Sequence, residues 1–290
     1  MFANRAYLLD FTHRVPKMLV LQELIDILAN YGYNEFFVFA EEGTPESVDW
    51  MRLKWYGEIQ GIKVEKLMRA DLASRVSEGD YVRVTTAAER SLAGRVEYMR
   101  DEMIRVEAEG RERKTKGFLV TDFSDAFSWQ PLVVSLPGIV MGGTFATGGA
   151  KSSMMDLEKE LDRVMDAPLG GLLLRLGTLY LYGGAVREGE SEFFNILSNE
   201  IGYSRHEGLT DAVLEEISAV AHGVRLSAER WIEHNDWAKE IAYAASLLEC
   251  ACHRRDEARL RQVRDAHGHI WRMRFEPEGR IESLSRLPRF

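Results

Sequence analysis

The sequence predicts an α/β protein whose second half is entirely helical. Three observations carry this. Four short apolar or β-branched segments, at residues 6–11, 35–40, 81–85 and 118–121, lie in the first half and read as buried strands. Stretches of helical periodicity separate them, the pattern of a parallel sheet. From about Lys151 onward the apolar residues recur at helical spacing alone. The 290 residues therefore divide at about Gly149 into a strand-bearing part, 1–149, and a helical part, 150–290. No long disordered linker joins them, so the helices are expected to pack tightly on the sheet.

The first strand, 6–11, leads into a helix over about 17–31, where Leu21, Leu24, Ile25 and Leu28 share one face. Gly32 ends that helix in the usual C-terminal position. The second strand, 35–40, ends at Glu41, and residues 48–79 read as helical without a buried strand. The third, 81–85, is followed by a helix over about 92–109 and then by the fourth, 118–121. A polar cluster follows at once: Asp122, Ser124, Asp125, Ser128, Trp129 and Gln130. In parallel α/β proteins the loops at the C-terminal strand ends hold the ligand. Two carboxylates, an indole and an amide placed there can grip sugar hydroxyls, or they can form a polar turn over a buried Trp. Gly142-Gly143 and Gly148-Gly149 read as backbone freedom at a closing turn.

In the second half, Met155, Leu157, Leu161 and Val164 mark one helix. Residues 172–182 are apolar nearly all round and predict deep burial, and 193–201 and 211–221 are shorter helices. A long helical pattern, 226–254, carries Trp231, Trp237, Ala242, Ala245 and Leu248 as core residues.

Composition excludes several function classes. A net charge of −9 opposes a nucleic-acid partner, which needs a basic face. The basic run 111–116 is broken by Glu112 and reads as a solvated helix end. No apolar run reaches the ~20 residues that span a bilayer, and 172–182 contains Arg175. The opening residues read as a strand rather than a secretory leader. Cys250 and Cys252, two apart on a helix, cannot bridge within that turn, and a reducing cytoplasm is expected. His267 and His269 lack the partner spacing of a metal site, and no glycine-rich phosphate loop follows a strand. Neither metal nor cofactor is expected.

Residues 117–143, GFLVTDFSDAFSWQPLVVSLPGIVMGG, resemble the last strand and loop of the family 20 glycoside hydrolases, the β-N-acetylhexosaminidases. Thr121, Asp122, Asp125, Trp129, Gln130, Val134 and Ser135 fall in step, with Phe123 where that family has Trp and Ser124 where it has Gly. Arg5, Leu9, Asp10, Val15 and Pro16 match the start of the family's barrel. SLAGR, at 91–95, and the segment 271–287 resemble further stretches of it.

The resemblance implies a β/α barrel, but a complete one needs roughly 200–250 residues. The first half therefore predicts a partial, half TIM-like barrel formed by units seven, eight, one and two, with units three to six lost. The family's catalytic Asp-Glu pair follows its fourth strand: Glu protonates the leaving oxygen, and Asp orients the substrate's acetamido group. Here the adjacent Asp101-Glu102 lies inside a helix with Arg100 and Arg105 around it and reads as a charged surface. Glu41-Glu42 stands at a strand end, on the wrong strand for the family role. The implied function is a family 20-like protein without hydrolytic activity alone that keeps part of a carbohydrate subsite. Arg5, Asp10, Glu41, Asp122, Asp125 and Trp129 are its candidate residues, and Arg5, Asp10, Asp122 and Asp125 are expected to converge at one end of the α/β part. Two alternatives stand: an active hexosaminidase completed by a second chain, and a purely structural or interaction protein. An open arc would expose strand edges and half of an apolar interior, so a homodimer is expected.

Overall fold

The structure is a computed structural model that describes residues 1–41, 47–77, 80–124, 127–148, 156–184, 189–198, 205–253 and 255–288. Its centre is a five-stranded sheet, all parallel: β1 (Asn4–Asp10), β2 (Glu35–Phe39), β3 (Lys63–Leu67), β4 (Tyr81–Thr85) and β5 (Gly117–Asp122). The spatial order is β3-β2-β1-β5-β4. The inner strands β2, β1 and β5 are the most continuously apolar, because both of their faces are covered.

β3 corrects the sequence reading, which saw no strand between 48 and 79. Its sequence KVEKL interleaves two apolar residues with charges, because it is an edge strand with Lys63 and Lys66 exposed. Such a pattern carries no buried run. The flanking helices α2 (Trp50–Ile59) and α3 (Arg69–Ser77) agree with the helical expectation for that segment.

Strand alternation separates two faces. Tyr7, Leu9, Phe36, Val38, Val64, Val82, Val84, Phe118 and Val120 enter the main core. Helices α1 (Met18–Asn30), α2, α4 (Val96–Glu112) and α5 (Leu136–Gly148) cover that face. Ala6, Leu8, Phe37, Phe39, Leu67, Tyr81 and Leu119 form a smaller cluster on the opposite face, closed by Leu72 of α3. Arg75 of α3 reinforces it, bonding Glu65 at 2.7 Å and lying 4.9 Å over the Phe37 ring. The second face is thus buried within one chain. The exposed apolar interior expected of an open arc is absent among the described residues, and with it the expected force for sharing a barrel.

Glycines in α5 act by their size. A Cβ at Gly142 would overlap Val120 and Tyr33, and one at Gly143 would overlap Tyr31. They permit close packing of α5 on the sheet, not the closing turn expected.

The remaining helices are α6 (Leu157–Met165), α7 (Gly170–Thr178), α8 (Glu192–Ser198), α9 (Asp211–Ala228), α10 (Asp236–Cys252), α11 (Glu257–Arg274) and α12 (Arg280–Arg286). The long pattern 226–254 is broken. Asn235 caps α10, accepting the Ala238 N–H at 3.1 Å, while its own amide donates to the Met165 carbonyl at 2.7 Å. Trp237 is buried as expected, whereas Trp231 is exposed. Leu181 is exposed too, against the deep burial expected for 172–182, because a 3-10 turn replaces α7 at Leu179. No helix among the described residues is long and apolar enough to cross a membrane.

The boundary expected near Gly149 lies next to residues 149–155, outside the described residues. One hydrophobic core runs through both parts. Buried Glu240 of α10 ties them: it receives the Val133 N–H at 2.8 Å and pairs with Arg274, which also reaches Glu23 of α1 at 2.8 Å. The backbone adds Lys17 N–H to Arg274 C=O and Glu276 N–H to Val15 C=O.

Candidate functional site

The strand ends carry two separate polar groups. β1 and β5 are neighbours, in register from Asn4↔Gly117 to Leu9↔Asp122. Asp10 follows the alternation of Ala6 and Leu8, so it belongs to the α3-covered face; Asp122 follows Phe118 and Val120 into the main core. They share an end of the sheet but not a face.

Asp10 accepts the Thr12 N–H at 2.8 Å and the Ser124 N–H at 3.2 Å. Burial raises its carboxyl above the ordinary aspartate value, and these bonds only partly offset that. Phe123 stands beside it, half-buried, edge-on to Phe39 with ring centroids 5.7 Å apart. Glu41 continues the Phe37–Phe39 alternation and forms an ion pair with Arg69 at the start of α3. Asp10, Phe39, Glu41, Arg69 and Phe123 therefore gather at the C-terminal strand ends on the α3-covered side, with Asp10 and Phe39 buried and Glu41, Arg69 and Phe123 reaching the surface. The buried Ser124 hydroxyl has no hydrogen-bond partner among the described residues.

Asp122 is sealed on the other face. The Tyr7 hydroxyl donates to it at 2.8 Å and the Thr86 hydroxyl at 3.3 Å. Burial first, and then Asp122, push the Tyr7 phenol well above its usual range. Arg14, also buried, donates to the Gln130 carbonyl and lies 5.2 Å over the Phe275 ring. Arg14 Nε and both ends of the buried Gln130 amide have no partner among the described residues. No sequence pattern marks Arg14, whose burial arises from the distant α11–α12 connection.

Other candidates fall elsewhere. Arg5 sits at the start of β1, opposite Phe118, and donates to the carbonyls of Phe2, Ala3 and Gly32. It lies at the N-terminal end of the sheet, about five residues or ~16 Å from Asp10 at strand rise. The expected convergence of Arg5 with the strand-end carboxylates does not occur. Trp129 is in the core, 1% exposed, packed between Phe127 and Phe194, with its N–H donated to the Ser283 carbonyl at 3.2 Å. It anchors α12 and presents no ring to a ligand. Asp125 lies outside the described residues. Asp101 is exposed on α4, and the hydrogen bond from Arg105 lowers the Glu102 carboxyl below its ordinary value.

Among the described residues, left-handed backbone occurs at five non-glycine positions, three of them in the connections after β4 and β5. Ala87 and Arg90 follow β4, and Ser128 follows β5, with φ of 58°, 48° and 49°. Each such residue costs ~1–3 kcal/mol, and such strain gathers where surrounding structure dictates it, often at functional sites. A cavity of about 720 Å³ opens between α9, α10 and α11, lined by Tyr243, Glu249, Arg225 and Arg259 among others. None of the sequence candidates reaches it. His267 lies close by, between Tyr243 and Ser283, and is no ligand-type pair with the exposed His269. Comparison with protein-family models gives no match, and comparison with curated proteins gives none.

Proposed function

We propose that this chain is a reduced relative of the family 20 glycoside hydrolases that holds an N-acetylhexosamine-type sugar without hydrolysing it. In this reading the sheet is an arc of a β/α barrel. Followed through space, β4, β5, β1, β2 and β3 run as consecutive units of a ring, with the opening between β3 and β4. The α3-covered face is then the barrel interior, and its C-terminal mouth is the sugar subsite.

The observation that carries the reading is that Asp10, Glu41 and Phe123 share one set of strand ends and one face of the sheet. Carboxylates accept hydrogen bonds from sugar hydroxyls, and Glu41 reaches the surface there. Phe123 offers a ring for a sugar face, smaller than the indole of the resembled family. Among the described residues no adjacent Asp-Glu pair stands at a strand end. General acid catalysis typically contributes ~10²–10⁴-fold, so its loss leaves little turnover. A second reading, a scaffold that has lost its ligand, is favoured by Leu72, which fills the face beneath the mouth.

Two experiments on the purified chain test the proposal. Saturation-transfer NMR with N-acetylglucosamine is expected to show transfer to the sugar, and its absence favours the scaffold. A chromogenic N-acetylhexosaminide is expected to stay intact. Turnover that disappears in an Asp101→Ala, Glu102→Ala variant would overturn the reading of that pair as a surface feature.

A further inference from the structure

The outward face of α2 carries an apolar ridge at helical spacing. Met51, Trp55 and Ile59, four residues apart, are 84%, 61% and 58% exposed. Leu53 and Gly57 face the core instead, so the ridge contributes nothing to the fold. Three large apolar side chains contiguous on one exposed helix are unlike singly scattered surface residues and mark an interaction face. We propose that this ridge is a homodimer interface in which two copies of α2 pack antiparallel about a two-fold axis at Trp55.

Symmetry and charge commit the ridge to a second copy. Met51 and Ile59 lie four residues on either side of Trp55, so an antiparallel two-fold sets each Met51 against the Ile59 of the other copy and Trp55 against Trp55. Lys54 and Glu58 share one flank of the ridge. Reversal along the axis keeps each flank on its own side. Lys54, one residue before the centre, therefore comes within about two residues, ~3 Å of rise, of Glu58 in the second copy. Both side chains are exposed and form no ion pair among the described residues, so both are available. A parallel pairing would instead set the Lys54 flank against Arg52, bringing like charges together. The neighbouring edge strand is a poor alternative, because Lys63 and Lys66 guard it and the Lys66 amine lies 5.7 Å over the Trp50 ring. This interface is independent of the sugar-binding reading and of any shared barrel.

Sedimentation velocity on the full chain at about 1–100 μM, a range typical of modest interfaces, tests it. The expected species at high concentration has twice the 33.1 kDa chain mass. Trp55→Glu is expected to raise the dimer dissociation constant on the order of 100-fold, as for a central aromatic anchor, with an unchanged far-ultraviolet dichroism spectrum. Lys54→Glu should weaken association about tenfold, and adding Glu58→Lys should restore it. A wild-type monomer at 100 μM overturns the proposal and leaves the ridge to a different protein. So does a dimer indifferent to Trp55→Glu and to both charge reversals.

Discussion

His267 shows how a buried titratable group gains one fixed role. Its Nε2 lies 3.0 Å from the Ser283 hydroxyl, which itself donates to the Phe127 carbonyl. Ser283 must therefore accept from an Nε2–H, which leaves Nδ1 to accept from the Tyr243 hydroxyl at 2.7 Å. Burial, then Arg14 and Arg264, depress the imidazole to about 3 from 6.5. The folded protein resists a proton that the unfolded chain takes near pH 6.5. Its stabilising contribution is complete above pH 6.5 and falls as pH drops toward 3, by up to ~1.4 kcal/mol per unit. Urea midpoints between pH 7 and 4 should decline less steeply in His267→Gln, and parallel declines would contradict the assignment. Tyr7 gives a second test at this scale. Among the described residues, Tyr7→Phe leaves the sealed Asp122 carboxylate with only the 3.3 Å Thr86 contact. The expected loss is ~1–3 kcal/mol by urea denaturation, and a loss within error would contradict the bond.

At the scale of elements, legibility followed burial. β1, β2, β4 and β5 were readable because buried strands carry continuous apolar runs, whereas KVEKL in β3 does not. The break between α9 and α10 was hidden because its residues, among them His234 and Asn235, interrupt a pattern that remains helical on both sides. The site was legible in position and not in orientation. Asp10 and Glu41 could be placed at strand ends from sequence, but Asp122 turns to the other face because one residue of offset reverses a strand side chain. Trp129 and Arg14 depend on α11 and α12, more than a hundred residues away. A deeply buried joint between the elements is Glu240 with Arg274, respectively 0% and 4% exposed at the side chain. Glu240→Ala strands a buried guanidinium and should cost ~3–5 kcal/mol. Because the pair links α1, α10 and the turn at Val133, chemical denaturation should remain one transition, followed alike by tryptophan fluorescence and far-ultraviolet dichroism. A separate early transition of the helices would contradict this coupling.

Across the whole molecule, a sheet with two covered faces leaves one set of strand ends where a ligand can meet loops and side chains together. α3 closes the lower part of one face, and Asp10, Glu41 and Phe123 border what remains at its mouth. Among the described candidates, the proposed sugar subsite belongs there, since Asp122 and Trp129 are sealed into the core. The most direct test is saturation-transfer NMR with N-acetylglucosamine on the wild-type chain and on Phe123→Ala. Saturation of the sugar ring protons is expected in the wild type and its loss in the variant, with an unchanged dichroism spectrum. No transfer to the wild type, or equal transfer to both proteins, would contradict it.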